Sequence, residues 1–127
     1  MYFTHNAITP VIIQSVTYQD IYGAGIRLEP QDIFDKTNPL MLQILSSTFK
    51  DCKPYVAGFI DVYENSKLTI DTSTFTNLFS IGSGSVVLAN YNENLITIRN
   101  STFKNNYAIL GGVFYAQFSS VIECTNC

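Results

Sequence analysis

Three segments, LSSTFKDCKPYVAGFIDVY (45–63), DTSTFTNLFSIGSGSVVLAN (71–90) and NSTFKNNYAILGGVFYAQ (100–117), carry the same parts in the same order. In each, an aromatic residue (Phe49, Phe75, Phe103) precedes a glycine (Gly58, Gly84, Gly112) by nine positions. A repeat with a period of roughly 20 to 50 residues constrains a fold more than any local signal, because each copy must be one supersecondary unit stacked on its neighbours.

Alignment on the aromatic extends the agreement. Five residues before it stand Ile44, Ile70 and Ile98; one before it, Thr48, Thr74 and Thr102; two after it, Asp51, Asn77 and Asn105. A worn copy at 11–29 supplies Ile13, Thr17, Tyr18, Asp20 and Gly25, with two residues fewer between Tyr18 and the glycine. A last copy starts at SSVIECTNC, where Ile122 falls in the isoleucine column and Cys127 in the aromatic one. The units are then 11–29, 41–63, 67–90, 95–117 and 119–127 of a single domain over 1–127, and the isoleucines stand 31, 26, 28 and 24 residues apart.

Each unit pairs a short alternating run, such as Leu68-Thr69-Ile70 or Ile96-Thr97-Ile98, with a second apolar run after the glycine. Period-2 alternation and β-branched residues are strand signals, and no sustained helical spacing appears. A β unit of about 25 residues that cannot bury its apolar face alone stacks on copies of itself. The sequence therefore predicts an all-β fold, a single-stranded parallel β-helix (β-solenoid) of about five coils, roughly 24 Å tall at the inter-strand spacing.

In that fold the Ile column and the Tyr18, Phe49, Phe75, Phe103 column point inward as a core stack. Asp20, Asp51, Asn77 and Asn105 fit a turn, where such side chains bond local backbone and form a ladder between coils. Gly25, Gly58, Gly84 and Gly112 fit a bend of positive φ or a close backbone approach. The length variation falls after the glycine, in YENSK (63–67), NYNEN (90–94) and PQDIFDKTNP (30–39), which emerge from one section of the coil. Solenoid insertions gather on one face, often the binding face, and this makes Tyr63 and Tyr91 the candidate binding residues. Tyr107 and Tyr115 are further aromatics suited to stacking on sugars or to lateral packing.

The pairing of FKNN (103–106) with GGVF (111–114) resembles the FxxN and GG[AI] repeats of polymorphic outer-membrane and autotransporter-type surface proteins, and the STFxNNxAxxGG repeats of pectin-lyase-like protist surface proteins. The resemblance covers 41–127 and, more weakly, 11–29. It implies a right-handed parallel β-helix, an extracellular or cell-surface setting, and adhesion or surface architecture rather than chemistry.

Other function classes find little support. The seven Lys and Arg are scattered, which disfavours a nucleic-acid surface. No apolar run reaches the 18 or so residues of a membrane span, and the N-terminus does not resemble a signal peptide. With the last unit broken off at Cys127, a fragment of a longer solenoid or an uncapped assembly unit is expected.

Cys124 and Cys127 form a CxxC, but a metal site needs two more ligands and only Cys52 and His5 remain. Buried small side chains, or a bridge to a partner, are the expectation. His5 is the only histidine and precedes the repeats, so no catalytic triad suggests itself. Asp61 and Asp71 invite inspection because hydrolases on pectin-lyase-like folds use paired carboxylates. They occupy different columns, Asp61 sharing its own with Leu28, Val87 and Tyr115. The calcium-binding Gly-Gly-x-Gly-x-Asp repeat is missing, and no catalytic residue, cofactor or metal is assigned.

Asn100-Ser101-Thr102 is a sequon, making Asn100 a glycosylation candidate. The preferred expectation is a non-enzymatic building block stacking end to end with itself, through exposed strand edges, in a filament or surface layer. The alternative is an adhesin-like module holding a glycan or cell surface through its insertion loops.

Overall fold

The computed structural model describes residues 1–4, 9–23, 25–30, 37–54 and 58–127, so His5 and most of the 30–39 insertion lie outside the described residues. Every strand pair is parallel, and the chain winds as a β-solenoid. A long face stacks Val11–Gln14, Leu40–Leu45, Ser66–Asp71, Leu95–Arg99 and Val121–Thr125. An aromatic face stacks Thr17–Gln19, Thr48–Lys50, Thr74–Thr76 and Thr102–Lys104. A third face stacks Tyr2–Phe3, Ile26–Leu28, Ile60–Val62, Val87–Ala89 and Phe114–Ala116. In two turns an extra pair, Phe79–Ser83 beside Tyr107–Leu110, lies between the aromatic and third faces in chain order. Five strands on the long face enclose about four turns rather than five coils, because the last unit contributes only Val121–Thr125. Among the described residues no helix is long and apolar enough to cross a membrane.

The register follows the repeat columns. Ile13, Ile44, Ile70 and Ile98 are successive Cα partners, as are Tyr18, Phe49, Phe75 and Phe103. Alternation on the long face sends Ile44, Ile70 and Ile98 into the core while Gln43, Thr69 and Thr97 face out. The four aromatic rings stack with centroids 5.4, 4.8 and 5.3 Å apart, all within 9° of parallel. Phe59 and Phe114 brace this column obliquely, against Phe49 and Phe103.

The last unit departs from the expected alignment. Ile122 pairs with Ile96, whereas Cys124 pairs with Ile98 and takes the isoleucine column. Continuing that register sets Cys127 beside Ser101, not beside Phe103. The chemistry of the residue type misled: an isoleucine was placed with isoleucines, but strand pairing shifts it by two positions, which keeps it on the inward side of the strand.

Two corners carry a left-handed residue in every turn. One is Ser15, Ser46, Thr72, Asn100 and Asn126; the other is Asp20, Asp51, Asn77 and Asn105, all with φ between 48° and 57°. Asn and Asp are the non-glycine types best suited to this region. The second corner is laced between turns: Asn77 Nδ2 donates to Asp51 Oδ1 (2.8 Å) and Asn105 Nδ2 to Asn77 Oδ1 (3.3 Å). Asp20 joins it through the backbone, Asp20 N donating to Lys50 O.

The glycines do not form one column. Counted from Ile60, Val87 and Phe114, Gly58 is level with Gly112 but Gly84 comes one residue early, and Gly25 is level with Phe59. Their reasons differ too. Gly84 needs glycine for its φ of 58°, and a Cβ there would fall on the Val87 carbonyl; Gly25 has no such φ, but a Cβ would strike the Phe59 carbonyl and ring.

Beneath the first corner runs a ladder that the repeat alignment overlooked. The hydroxyls of Ser47, Ser73 and Ser101 accept from the amides of Val16, Ser47 and Ser73 in the turn before, at 3.3, 3.1 and 3.1 Å. Each donates to the carbonyl two residues earlier, Leu45, Asp71 or Arg99. One buried hydroxyl thus satisfies a backbone donor and a backbone acceptor, groups that are costly to leave unpaired.

Phe75, fully buried between two rings, is the test of the stack. Phe75→Ala should cost about 3–5 kcal/mol, while Tyr18→Ala, with one ring neighbour and partial exposure, should cost less than half of that. Urea unfolding of both variants checks the order.

Candidate binding cleft

Outward positions of the third face form the column Arg27, Asp61, Leu88 and Tyr115. Leu28 and Val87, expected beside Asp61, instead point into the core, because the glycines used to align them are out of register. Where this face turns toward the long face, Tyr63 and Tyr91 come together, their rings 4.7 Å apart and 19° from parallel. The Arg27 guanidinium lies over the Tyr63 ring at 5.3 Å and pairs with Asp61 Oδ2 at 3.5 Å. These four residues, with Leu88 and Asn90, line an open cleft of about 310 Å³.

Asn94 builds the corner that holds Tyr91. Buried at 2% exposure, it accepts from Ser66 N and donates to the carbonyls of Tyr91 and Val62 and to Ser120 Oγ. Ser120 Oγ donates in turn to the Tyr91 carbonyl at 2.5 Å. The insertions at 63–67 and 90–94 are therefore partly structural: Ser66 and Lys67 already belong to the long face, and Asn94 serves as a buried bracket. Arg27 and Asn94 were invisible to the repeat because each occurs in one turn only. A serine two places before Phe49, Phe75 and Phe103 was a signal available for the hidden ladder.

The electrostatics centre on Asp61. Burial pushes its carboxyl up to about 6, with the Arg27 charge and hydrogen bond opposing that shift. Its Oδ1 is buried and has no hydrogen-bond partner among the described residues. Asp71, at the end of the long face, is held below the usual carboxylate range by hydrogen bonds from Asn100 and Thr72. The two aspartates thus engage different partners on different faces and form no carboxylate pair.

Asn100 is exposed, but its Nδ2 donates to Asp71 Oδ1 (3.2 Å) and its Oδ1 accepts from Asn126 Nδ2 (3.1 Å). A glycan on Nδ2 would have to displace the first of these bonds. Cys124 and Cys127 are exposed and bonded to each other, with Cα atoms 6.2 Å apart, which corrects the expectation of buried thiols or a bridge to a partner. The left-handed Asn126 between them turns the chain back far enough for closure. Cys52 is a buried thiol whose pKa burial raises. Among the described residues, no three His, Cys, Asp or Glu side chains cluster as a metal site.

Comparison with protein-family models, with curated proteins and with solved structures finds no match.

The folded protein holds the Asp61 proton more tightly than the unfolded chain, where the pKa is near 3.8. Its contribution to stability is thus fully present below that value and is lost as pH rises through about 6. Asp61→Asn should flatten this slope: its Tm should gain on that of the wild type as pH is raised from about 4 to 7. Parallel thermal melts of both proteins would show the two curves diverging.

Proposed function

We propose that the chain is a non-catalytic β-solenoid module of a cell-surface or extracellular protein, and that it binds a saccharide in the Tyr63/Tyr91 cleft. The observation that carries this reading is the arrangement of stacked tyrosines, a guanidinium, a carboxylate and an amide around one open hollow. Sugar rings offer an apolar C–H face and an edge of hydroxyls. Tyr91, 39% exposed, supplies a rigid apolar surface at little entropic cost, while Arg27 and Asn90 supply orienting polar groups. The extracellular setting rests on the resemblance of the FKNN and GGVF motifs to pectin-lyase-like surface repeats.

A glycan array followed by calorimetry on any hit tests the cleft. Tyr91→Ala should weaken binding at least about tenfold, a loss of some 1.4 kcal/mol, with the melting temperature preserved. Absence of any hit, or a hit that Tyr91→Ala binds equally well, counts against it.

A second reading, end-to-end self-association, is favoured by the undiminished register of the final strand. Val121–Thr125 pairs with Leu95–Arg99 over five residues, and Asn126 continues the Asn100 column. Its outer edge offers backbone groups to a further coil. Electron microscopy across a dilution series should then show filaments that shorten on dilution; compact particles throughout would remove this reading.

A further inference from the structure

The pair Phe79–Ser83 and Tyr107–Leu110 presents a surface unlike that of the aromatic face beside it. On the aromatic face the outward residues are Thr17, Thr48, Thr74 and Thr102 in one row, and Gln19, Lys50, Thr76 and Lys104 in the other. On the extra pair the inward residues Ser80 and Ala108 are buried, whereas Phe79, Ile81, Tyr107, Ile109 and Leu110 are 43 to 63% exposed. Sheet faces open to water are ordinarily polar; the aromatic face follows that rule, and the long face departs from it at single positions, Ile12, Leu95 and Val121.

The apolar surface is continuous and ordered. Phe79 and Tyr107 are register partners whose rings stack at 5.2 Å and 11°. Below them, Lys53 pairs with Tyr22 and sets its ammonium 5.5 Å from that ring. Tyr22, Lys53, Phe79 and Ile81 also line a shallow hollow of about 170 Å³. Six apolar side chains roughly half exposed present on the order of 600 Å². That lies at the upper limit of patches on monomers, ~600 Å², and approaches the ~800 Å² that each partner contributes to a stable interface.

We propose that this face is a lateral interface with a second copy of the same chain, related by a two-fold axis. A two-fold contact uses the same patch on both copies and closes at the dimer. An anionic membrane surface would call for several basic residues around the apolar ones, and among the described residues lining the hollow Lys53 is the one basic side chain.

Sedimentation velocity of the full chain over a concentration series is the experiment. The expected result is a monomer–dimer equilibrium that stops at two, which separates it from open-ended stacking. Ile109→Lys, placing a charge at a side chain 63% exposed in the monomer, should weaken dimerisation at least about tenfold while leaving the monomer's melting temperature unchanged. Ile109→Thr serves as a milder second variant and should weaken it less. A wild-type chain that stays monomeric, whether or not it co-sediments with phosphatidylcholine vesicles, overturns the proposal. So does a dimer that both variants preserve.

Discussion

Everything in this molecule depends on parallel pairing between successive turns at one strand spacing. Because each residue has the same neighbour above and below, whatever chemistry occupies a position is repeated along the stack and must be compatible with itself. Isoleucines and phenylalanines satisfy this by packing, and asparagines by donating with the amide nitrogen while accepting with the oxygen. Serine hydroxyls do so by accepting from one turn and donating within their own. Like charges satisfy it poorly: Asp20 and Asp51 stand in successive turns, but the Asp51 carboxylate bonds to Asn77 while Asp20 joins only through its backbone.

That constraint explains where the functional candidates lie. The long and aromatic faces are largely occupied with satisfying themselves. Departures from the repeat occur where a feature is confined to one or two turns: Arg27 and Asp61 on the third face, the stacked Tyr63 and Tyr91 at its corner, and the stacked Phe79 and Tyr107 of the extra pair. A residue confined to one or two turns is spared the demand of matching its own image along the whole stack, and such positions line the cleft and the exposed apolar pair.

The same logic accounts for what the sequence could and could not disclose. The Ile13 to Ile98 and Tyr18 to Phe103 columns were readable because side-chain identity and register coincide there. The glycines were legible as corners but not as a column, since Gly25 and Gly84 answer different steric demands two residues apart in register. Ile122 was misplaced because two inward positions on the same strand look alike from composition. Arg27 and Asn94 had no repeat to reveal them, and their roles emerge only when the corner after residue 62 brings three turns together.

The serine ladder has a direction. Each hydroxyl completes the backbone of the turn before it, so a turn is left with an unanswered amide until its successor is laid down. The solenoid is therefore polar in the sense that a filament or a helix is polar: its two ends ask for different chemistry. Level with Ser101 the repeat places Cys127 where a serine would carry the ladder on, and its sulfur is committed to Cys124.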